Sequence, residues 1–281
     1  MTYSTVSDKL YAVVRLCFSD GPERSVPKKW LLSSSTKLDA AFISSRQYST
    51  KEVGDYVQIQ VGTEVFLWPS EAPIAQGLSV LSELLNRNHG HQYLYGPTQL
   101  MSDDVVLDIG ASEGSFSAFA TNRCKRVIAV EPTSELCRLM EKLFEVRNQP
   151  RPMIVRCFLG DRPSKAYLLE DRSNPGRNKM SFEPIEGSEE VPVRTLDELV
   201  VTLEEKPTFV KCDAEGAALQ ILAGGREYLS KYRPKLAIAS YHTPTEFRDL
   251  CHFLKPFGYR LEGKGFLYSE RCLRVQMLHA W

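Results

Sequence analysis

The chain has 281 residues, 43% hydrophobic and 25% charged, with 35 basic residues against 35 acidic ones. This is ordinary globular usage, enough for one large α/β domain or one such domain plus a smaller unit; it excludes a disordered, collagen-like or coiled-coil chain. A formally neutral chain has no global field to gather nucleic acid, and no stretch approaches the roughly 20 apolar residues that cross a bilayer, so neither is an expected partner.

The start, Met1-Thr2-Tyr3-Ser4, has no basic region followed by an apolar run, which argues against a secretory signal. Cys17, Cys124, Cys137, Cys157, Cys212, Cys251 and Cys272 are scattered and never form a C-x-x-C pair. They predict reduced, mostly buried thiols in a cytoplasmic protein, with no disulfide framework or zinc knuckle. Leu10, Val13, Val14, Cys17 and Phe18 recur at helical spacing. A Ser/Pro/Lys-rich connection follows over 19–35. Val57, Ile59 and Val61 alternate, Gly62-Thr63 turns the chain, and Val65 and Leu67 alternate again, which predicts a β-hairpin. Ile74, Leu78, Leu81, Leu84 and Leu85 mark a helix ending near Asn88-His89-Gly90. Residues 1–95 thus read as a small N-terminal α+β accessory region with no nameable motif. His89 and His91 read as loop histidines; Tyr93 and Tyr95 suit folding over a ligand or packing between domains.

Residues 96–281 form a regular main domain. Val105–Ile109, Val127–Val130, Met153–Leu159, Phe209–Asp213 and Lys235–Tyr241 are short apolar runs separated by helical sequence. Such runs are strands covered on both faces, hence a doubly wound, mostly parallel Rossmann-like sheet. Residues 259–266 and 274–281 predict a C-terminal antiparallel hairpin at a sheet edge. The segment 170–190, with Arg172, Arg177, Asn178 and Lys179, reads as a solvated insertion or as an anion- or hydroxyl-recognising loop.

The first strand runs into Asp108-Ile109-Gly110-Ala111-Ser112-Glu113-Gly114. Ligands of open α/β sheets bind at the carboxyl ends of the strands, where strand order reverses. Ser112 stands where a dinucleotide fingerprint needs its middle glycine, and no Gly-Lys-Ser/Thr follows, so a pyrophosphate cradle and a P-loop are both disfavoured. Acid before glycine suits a cationic ligand. S-adenosylmethionine, with its ammonium, sulfonium, carboxylate and ribose diol, fits that requirement. Asp108 suits its amino-acid end, the backbone around Gly110, Ala111, Ser112 and Gly114 its carboxylate, and Glu131, followed by Pro132, the two ribose hydroxyls. Asp161 suits the adenine amino group.

On the fourth strand, period two places Lys211, Asp213 and Glu215 on one face if the strand continues that far. Lys211 is then deeper, pairs with one of the two acids and counts among the candidate catalytic residues. Asp213 and Glu215 sit beside the cofactor's methyl group, where Asp213 is also a cofactor contact, and Asp213, Glu215 and His242 are the candidate bases; the ordinary pKa of His242 suits a general base. A hard divalent cation between Asp213 and His242 is a further reading, although the spacing demands no metal.

The set Asp108-x-Gly-Ala-x-x-Gly, Val130-Glu131-Pro132, Thr195-Leu196-Asp197, Lys211-x-Asp-x-Glu-Gly-Ala and Pro234-Lys235-Leu236-Ala237-Ile238-x-x-Tyr-His resembles the FkbM family of S-adenosylmethionine-dependent methyltransferases, over about residues 95–268. The resemblance implies a seven-stranded class I methyltransferase domain and, most often, O-methylation of a hydroxyl on a sugar or secondary metabolite. It implies cofactor contacts at Asp108, Gly110 and Glu131. Ala218 and Ser240 stand where that family often has a carboxylate. The expected substrate is a small, carbohydrate-like molecule, and homo-oligomerisation stays open. The rival readings are a nicotinamide-dependent oxidoreductase and a non-catalytic binding or scaffold protein on the same fold.

Overall fold

A computed structural model describes residues 21–31, 35–45, 47–171, 178–269 and 272–281. The helix expected over Leu10–Phe18 lies outside them, as do Cys17, Arg172 and Arg177. The six described cysteines are free thiols.

The N-terminal part opens with a helix over Ser35–Ser45 and an antiparallel sheet of β1 (Ser49–Val53), β2 (Tyr56–Val61) and β3 (Glu64–Pro69). Gly62, at φ +58, makes the tight β2–β3 turn. A helix over Ile74–Leu85 follows, buried along Leu78, Leu81 and Leu84.

A seven-stranded sheet is the centre of the molecule. It contains β4 (Val105–Ile109), β5 (Arg126–Val130), β6 (Met153–Val155), β11 (Phe209–Cys212), β12 (Lys235–Ala239), β13 (Leu261–Ser269) and β14 (Cys272–Ala280), in the order β13-β14-β12-β11-β4-β5-β6. The pairs from β12 to β6 are parallel, and β14 is antiparallel to both its neighbours. The chain runs outward from β4 to β6 and then returns beside β4 as β11. Strand order therefore reverses between β4 and β11, the place where such sheets hold ligands.

The two faces have different covers. Val105, Leu107 and Ile109 pack with Leu196, Leu199, Ile221, Leu229 and Leu250 of the helices that follow β10, β11 and β12. Val106, Phe209, Ala237 and Met277 pack with Ile59, Phe66, Leu78, Leu81 and Phe116. The elements from Ser35 to Leu85 thus share a core with one face of the sheet, the face toward which Asp108 and Lys211 alternate, whereas Val26 and Trp30 join the other cluster. Among the described residues no helix is long and apolar enough to cross a membrane.

Two expectations need correction. The run Met153–Leu159 is not one strand. It breaks at Arg156-Cys157, and β7 (Phe158–Gly160) leaves the main sheet to pair with β10 (Glu189–Thr195). The region read as a solvated insertion contains strands. β8 (Ser164–Leu169), β9 (Lys179–Ser181) and β10 join β7 in a four-stranded sheet ordered β7-β10-β8-β9. Its inward alternation is short: Ala166 and Leu168 on β8, Val191 and Val193 on β10 and Leu159 on β7.

The Thr195-Leu196-Asp197 motif has a structural use. Thr195 and Glu198 form a reciprocal capping box at the start of the helix Leu196–Thr202. The Asp197 carboxylate accepts the amides of Glu227 and Tyr228 at 3.1 and 2.8 Å.

Candidate active site

Four strand tips meet at the reversal of strand order. The first carries the glycine turn. Gly110 has φ +69, and a Cβ there would lie 1.9 Å from the carbonyl oxygen of Asp213, so glycine is needed for the β4 and β11 tips to touch. The amides of Gly110 and Ala111 donate to Val130 O at 3.0 and 3.1 Å, tying the turn to β5. Ser112 stands at φ +52 and Gly114 at φ +86. The helix Ser115–Thr121 starts at Gly114 with no side-chain cap.

Glu131 closes the second tip. Its Oε2 accepts the amide of Ser112 and its Oε1 that of Thr133, both at 2.9 Å. Burial raises its pKa, and the Thr133 and Ser112 hydrogen bonds oppose that rise. Each oxygen keeps a further lone pair. Pro132 is half-buried beside it, its carbonyl taken by Arg156 Nε at 3.1 Å. Asp161 stands exposed just after β7. A hollow of about 120 Å³ lies beyond the second tip, between Tyr56 and Pro69 on one wall and Thr133, Leu136 and Asn178 on the other. It does not extend over Asp213.

Asp108 is fully buried. Lys211 Nζ lies 3.0 Å from its Oδ1, and Ser117 Oγ donates to its Oδ2 at 2.7 Å. Lys211 also donates to Gly110 O at 2.6 Å. Burial alone would lower the Lys211 pKa, but the carboxylates of Asp108 and Asp213 raise it. Asp108 and Lys211 thus brace the glycine turn from beneath. The expected pairing of Lys211 with Asp213 or Glu215 is replaced by this pair, because β11 ends at Cys212 and the chain turns. Glu215 sits at φ +48 with its side chain 93% exposed.

Asp213 is the focus at the tip of β11. Tyr93 Oη donates to its Oδ2 at 2.7 Å, and His91 Nε2 lies 3.5 Å from the same oxygen. His242 Nε2 lies 3.3 Å from Oδ1 and 3.8 Å from Glu215 Oε2, and its Nδ1 lies 3.3 Å from Glu246 Oε2. Burial pushes the Asp213 pKa up, but the His242 hydrogen bond and the charges of His91 and Lys211 outweigh it and hold the carboxyl well below its ordinary value. His242 shows the reverse balance. Burial lowers it, yet Asp213 and Glu246 raise it to about 10. With a carboxylate 3.3 Å from each ring nitrogen the imidazolium is the favoured form, and an imidazolium is not a base, so the geometry bears against His242 among the three candidate bases. Among the described residues no group of three or more His, Cys, Asp or Glu side chains is arranged to hold a metal ion.

His89 and His91 lie in the loop after the helix Ile74–Leu85, as read, but that loop is folded inward. Both are buried; His89 Nδ1 accepts the amide of His91 at 3.0 Å, and His91 Nδ1 lies 2.8 Å from Glu83 Oε2. Nothing in their local sequence marks them, since their partners lie elsewhere in the fold, Glu83 on the helix Ile74–Leu85 and Asp213 just after β11 for His91, and Asp39 on the helix Ser35–Ser45 for His89. Tyr93 takes the place over the strand tips that its position before the main domain allowed. Tyr95 packs edge-on against Trp30 and donates to Glu262.

The model of the methyltransferase FkbM domain matches residues 108–261, more than half of the chain and every strand tip just described. The chain belongs to the FkbM methyltransferase family. Among solved structures it is similar to methyltransferase FkbM from Methylobacillus flagellatus KT, at TM-score 0.50 and 22% identity, over 73% of this chain and 54% of that one. It therefore spans about half the length of that protein, and the likeness is one of fold. A precorrin-6y C5,15-methyltransferase from Geobacter metallireducens GS-15 matches at TM-score 0.42 and 16% identity, over 66% of this chain and 82% of that one. A putative methyltransferase from Streptococcus mutans, in complex with SAH, matches at TM-score 0.41 and 10% identity, over 65% of this chain and 91% of that one. No curated protein sequence matches.

The methyl donor of this FkbM-family chain is S-adenosylmethionine, and the residues present suit it. The buried Glu131 carboxylate has spare acceptor capacity for a diol, the helix start at Gly114 is uncapped, and the Asp213 carboxylate stands at the tip of β11.

Proposed function

We propose that this chain is an O-methyltransferase whose acceptor is a hydroxyl on a small, polyhydroxylated, carbohydrate-like molecule. The observation that carries this reading is Asp213, a carboxylate kept ionised by its neighbours at the reversal of strand order, with its side chain still 18% exposed. A carboxylate that only accepts hydrogen bonds suits a hydroxyl partner.

In this reading Gly110, Ala111, Ser112, Gly114, Glu131, Pro132 and Asp161 hold the cofactor. Glu131 takes the ribose hydroxyls, and Asp108 serves by bracing the turn through Lys211. S-adenosylmethionine supplies a methyl group on a positively charged sulfur, so the protein has mainly to align an acceptor oxygen with it. Asp213 accepts the hydrogen bond of the acceptor hydroxyl and orients its lone pair. So acidified a carboxylate is a weak base, and it takes the proton only when the acceptor oxygen has itself become strongly acidic. His242, already protonated, steadies Asp213 and passes no proton at neutral pH. Glu215 lies at the exposed rim, beside His242. The free thiols support a reducing, cytoplasmic setting.

The test is S-adenosylhomocysteine formation from S-adenosylmethionine with a panel of monosaccharides, glycosides and hydroxylated metabolites. Turnover that appears with hydroxyl acceptors and is lost in Asp213→Asn supports the reading. Cofactor binding without turnover on any acceptor favours a non-catalytic binding protein. Methylation of an amine or carbon in preference to oxygen overturns the acceptor assignment.

A further inference from the structure

Asp213 sits among three cations, each from a different element: Lys211 on β11, His242 beyond β12, and His91 from the N-terminal part. The first two belong to the motifs of the family-matched region; His91 lies 17 residues before its first matched residue, 108. It is nonetheless buried, at 2% exposure. Its ring stands edge-on to Tyr93 and Tyr241, with centroids at 5.1 and 5.2 Å. Nδ1 lies 2.8 Å from Glu83 Oε2, and Nε2 faces Asp213 Oδ2 at 3.5 Å. Nδ1 is within hydrogen-bond distance of Glu83, whereas Nε2 makes no aligned hydrogen bond and meets Asp213 only at ion-pair distance; a neutral imidazole has one N–H, so a ring between two carboxylates is attracted to both only as the imidazolium.

We propose that His91 is a positioning residue, an imidazolium bridge anchored on Glu83 that fixes Oδ2 of Asp213 and leaves Oδ1, with His242, to meet the acceptor. A carboxylate on one rotatable bond has two equivalent ends. Here the ends are made different. Oδ2 is held from the N-terminal side by Tyr93 and His91, and Oδ1 from the β12 side by His242. The N-terminal part therefore supplies two of the side chains that set the reacting carboxylate. The titratable groups facing His91 are Glu83, Asp213, Lys211, Tyr93 and Tyr241. Burial works to lower its pKa, but Glu83 and Asp213 raise it above the ordinary histidine value against a small opposing effect of Lys211. The orienting role rests on the acceptor-facing reading of Asp213, whereas the bridge itself does not.

The experiment is nitrogen-15 NMR of the full chain labelled at histidine, titrated with pH, with the His91 signals assigned by their loss in His91→Gln. The expected result is both ring nitrogens of His91 protonated at pH 7, with a midpoint above that of ordinary histidine. In Glu83→Gln and in Asp213→Asn that midpoint falls to the ordinary value or below; if one variant does not fold, the other decides. A His91 neutral at pH 7, or a midpoint that neither substitution moves, overturns the bridge. S-adenosylmethionine affinity of His91→Gln, read by calorimetry, stays within about twofold of the wild type, because His91 meets the site at Asp213, beside the transferred methyl, and not at the residues proposed to hold the ribose, adenine or carboxylate; a tenfold loss assigns His91 to cofactor binding and overturns the positioning role. Failure of the wild type to bind S-adenosylmethionine removes the enzymatic reading and leaves the titration result standing.

Discussion

Asp108 and Lys211 are register partners on β4 and β11, and their charges meet at 3.0 Å inside the sheet. The pair bridges the two strands between which strand order reverses. The same ammonium reaches Gly110 O, so one buried contact holds the sheet and the ligand-facing turn together. A charge buried this deeply is tolerated only while its partner is present.

Removing one partner therefore costs more than removing both. Asp108→Asn and Lys211→Met each lower the unfolding free energy by about 3–5 kcal/mol, the usual cost of leaving a buried charge uncompensated. The double variant loses clearly less than the sum of the two. Urea unfolding of the four proteins measures this, and strict additivity would show that the two charges act independently.

Stability depends on pH through the second cluster. The His242 pKa rises from 6.5 to about 10 on folding. Its stabilisation is complete below the unfolded value near 6.5 and is lost as pH rises through about 10. The Asp213 pKa is lowered on folding, so its contribution is present above the ordinary carboxylate value and is lost as pH falls through the depressed one. The melting temperature of the wild type should exceed that of His242→Gln at pH 6, and the gap should close by about pH 11. A gap independent of pH would mean that His242 acts by packing alone.

Much of this geometry can be read from the chain, and the parts that cannot share a cause. β4, β5, β11 and β12 are continuous apolar runs buried on both faces, so local composition announces them. Asp108, Gly110 and Glu131 end such runs and are announced with them. β8 and β10 are buried on one face through only a few small or branched side chains, and polar turns separate them and β9, so their pairing is decided by each other. His91 belongs to the second kind. Its neighbours Gln92 and Gly90 say nothing of Asp213, which lies 122 positions away in sequence. Lys211 misleads for the same reason: period two along one strand points to Asp213, while the nearest carboxylate is across the ladder.

Glu131 provides a prediction on cofactor affinity. Its two oxygens already hold the amides of Ser112 and Thr133, and the proposed ribose contacts use what capacity remains. Glu131→Gln keeps the shape but replaces one acceptor oxygen with a donor. We expect at least tenfold weaker S-adenosylmethionine binding, about 1.4 kcal/mol or more. Glu131→Ala frees both loops as well and should weaken binding further. Calorimetric titration decides; unchanged affinity in both variants would remove Glu131 from the ribose site.

The two glycines of the turn look alike in sequence and differ in what stands behind them. Both have positive φ, which strains any other residue. At Gly110 an added Cβ meets a backbone carbonyl, that of Asp213, at 1.9 Å, and neither strand tip can retreat without breaking the β4–β11 ladder. At Gly114 the added carbon meets Met140 Cγ at 2.4 Å and Cβ at 3.1 Å, a buried side chain rather than the backbone of a neighbouring strand. Gly110→Ala should therefore lower the melting temperature much more than Gly114→Ala. It should also shift the Asp213 carboxylate, so that cofactor binding and the His242 titration both change in whatever fraction folds. Gly114→Ala should keep the His242 titration and lose affinity only at the helix start. Thermal unfolding of the two variants side by side gives the order, and equal destabilisation would mean that positive φ, and not contact between the β4 and β11 tips, is what both positions require.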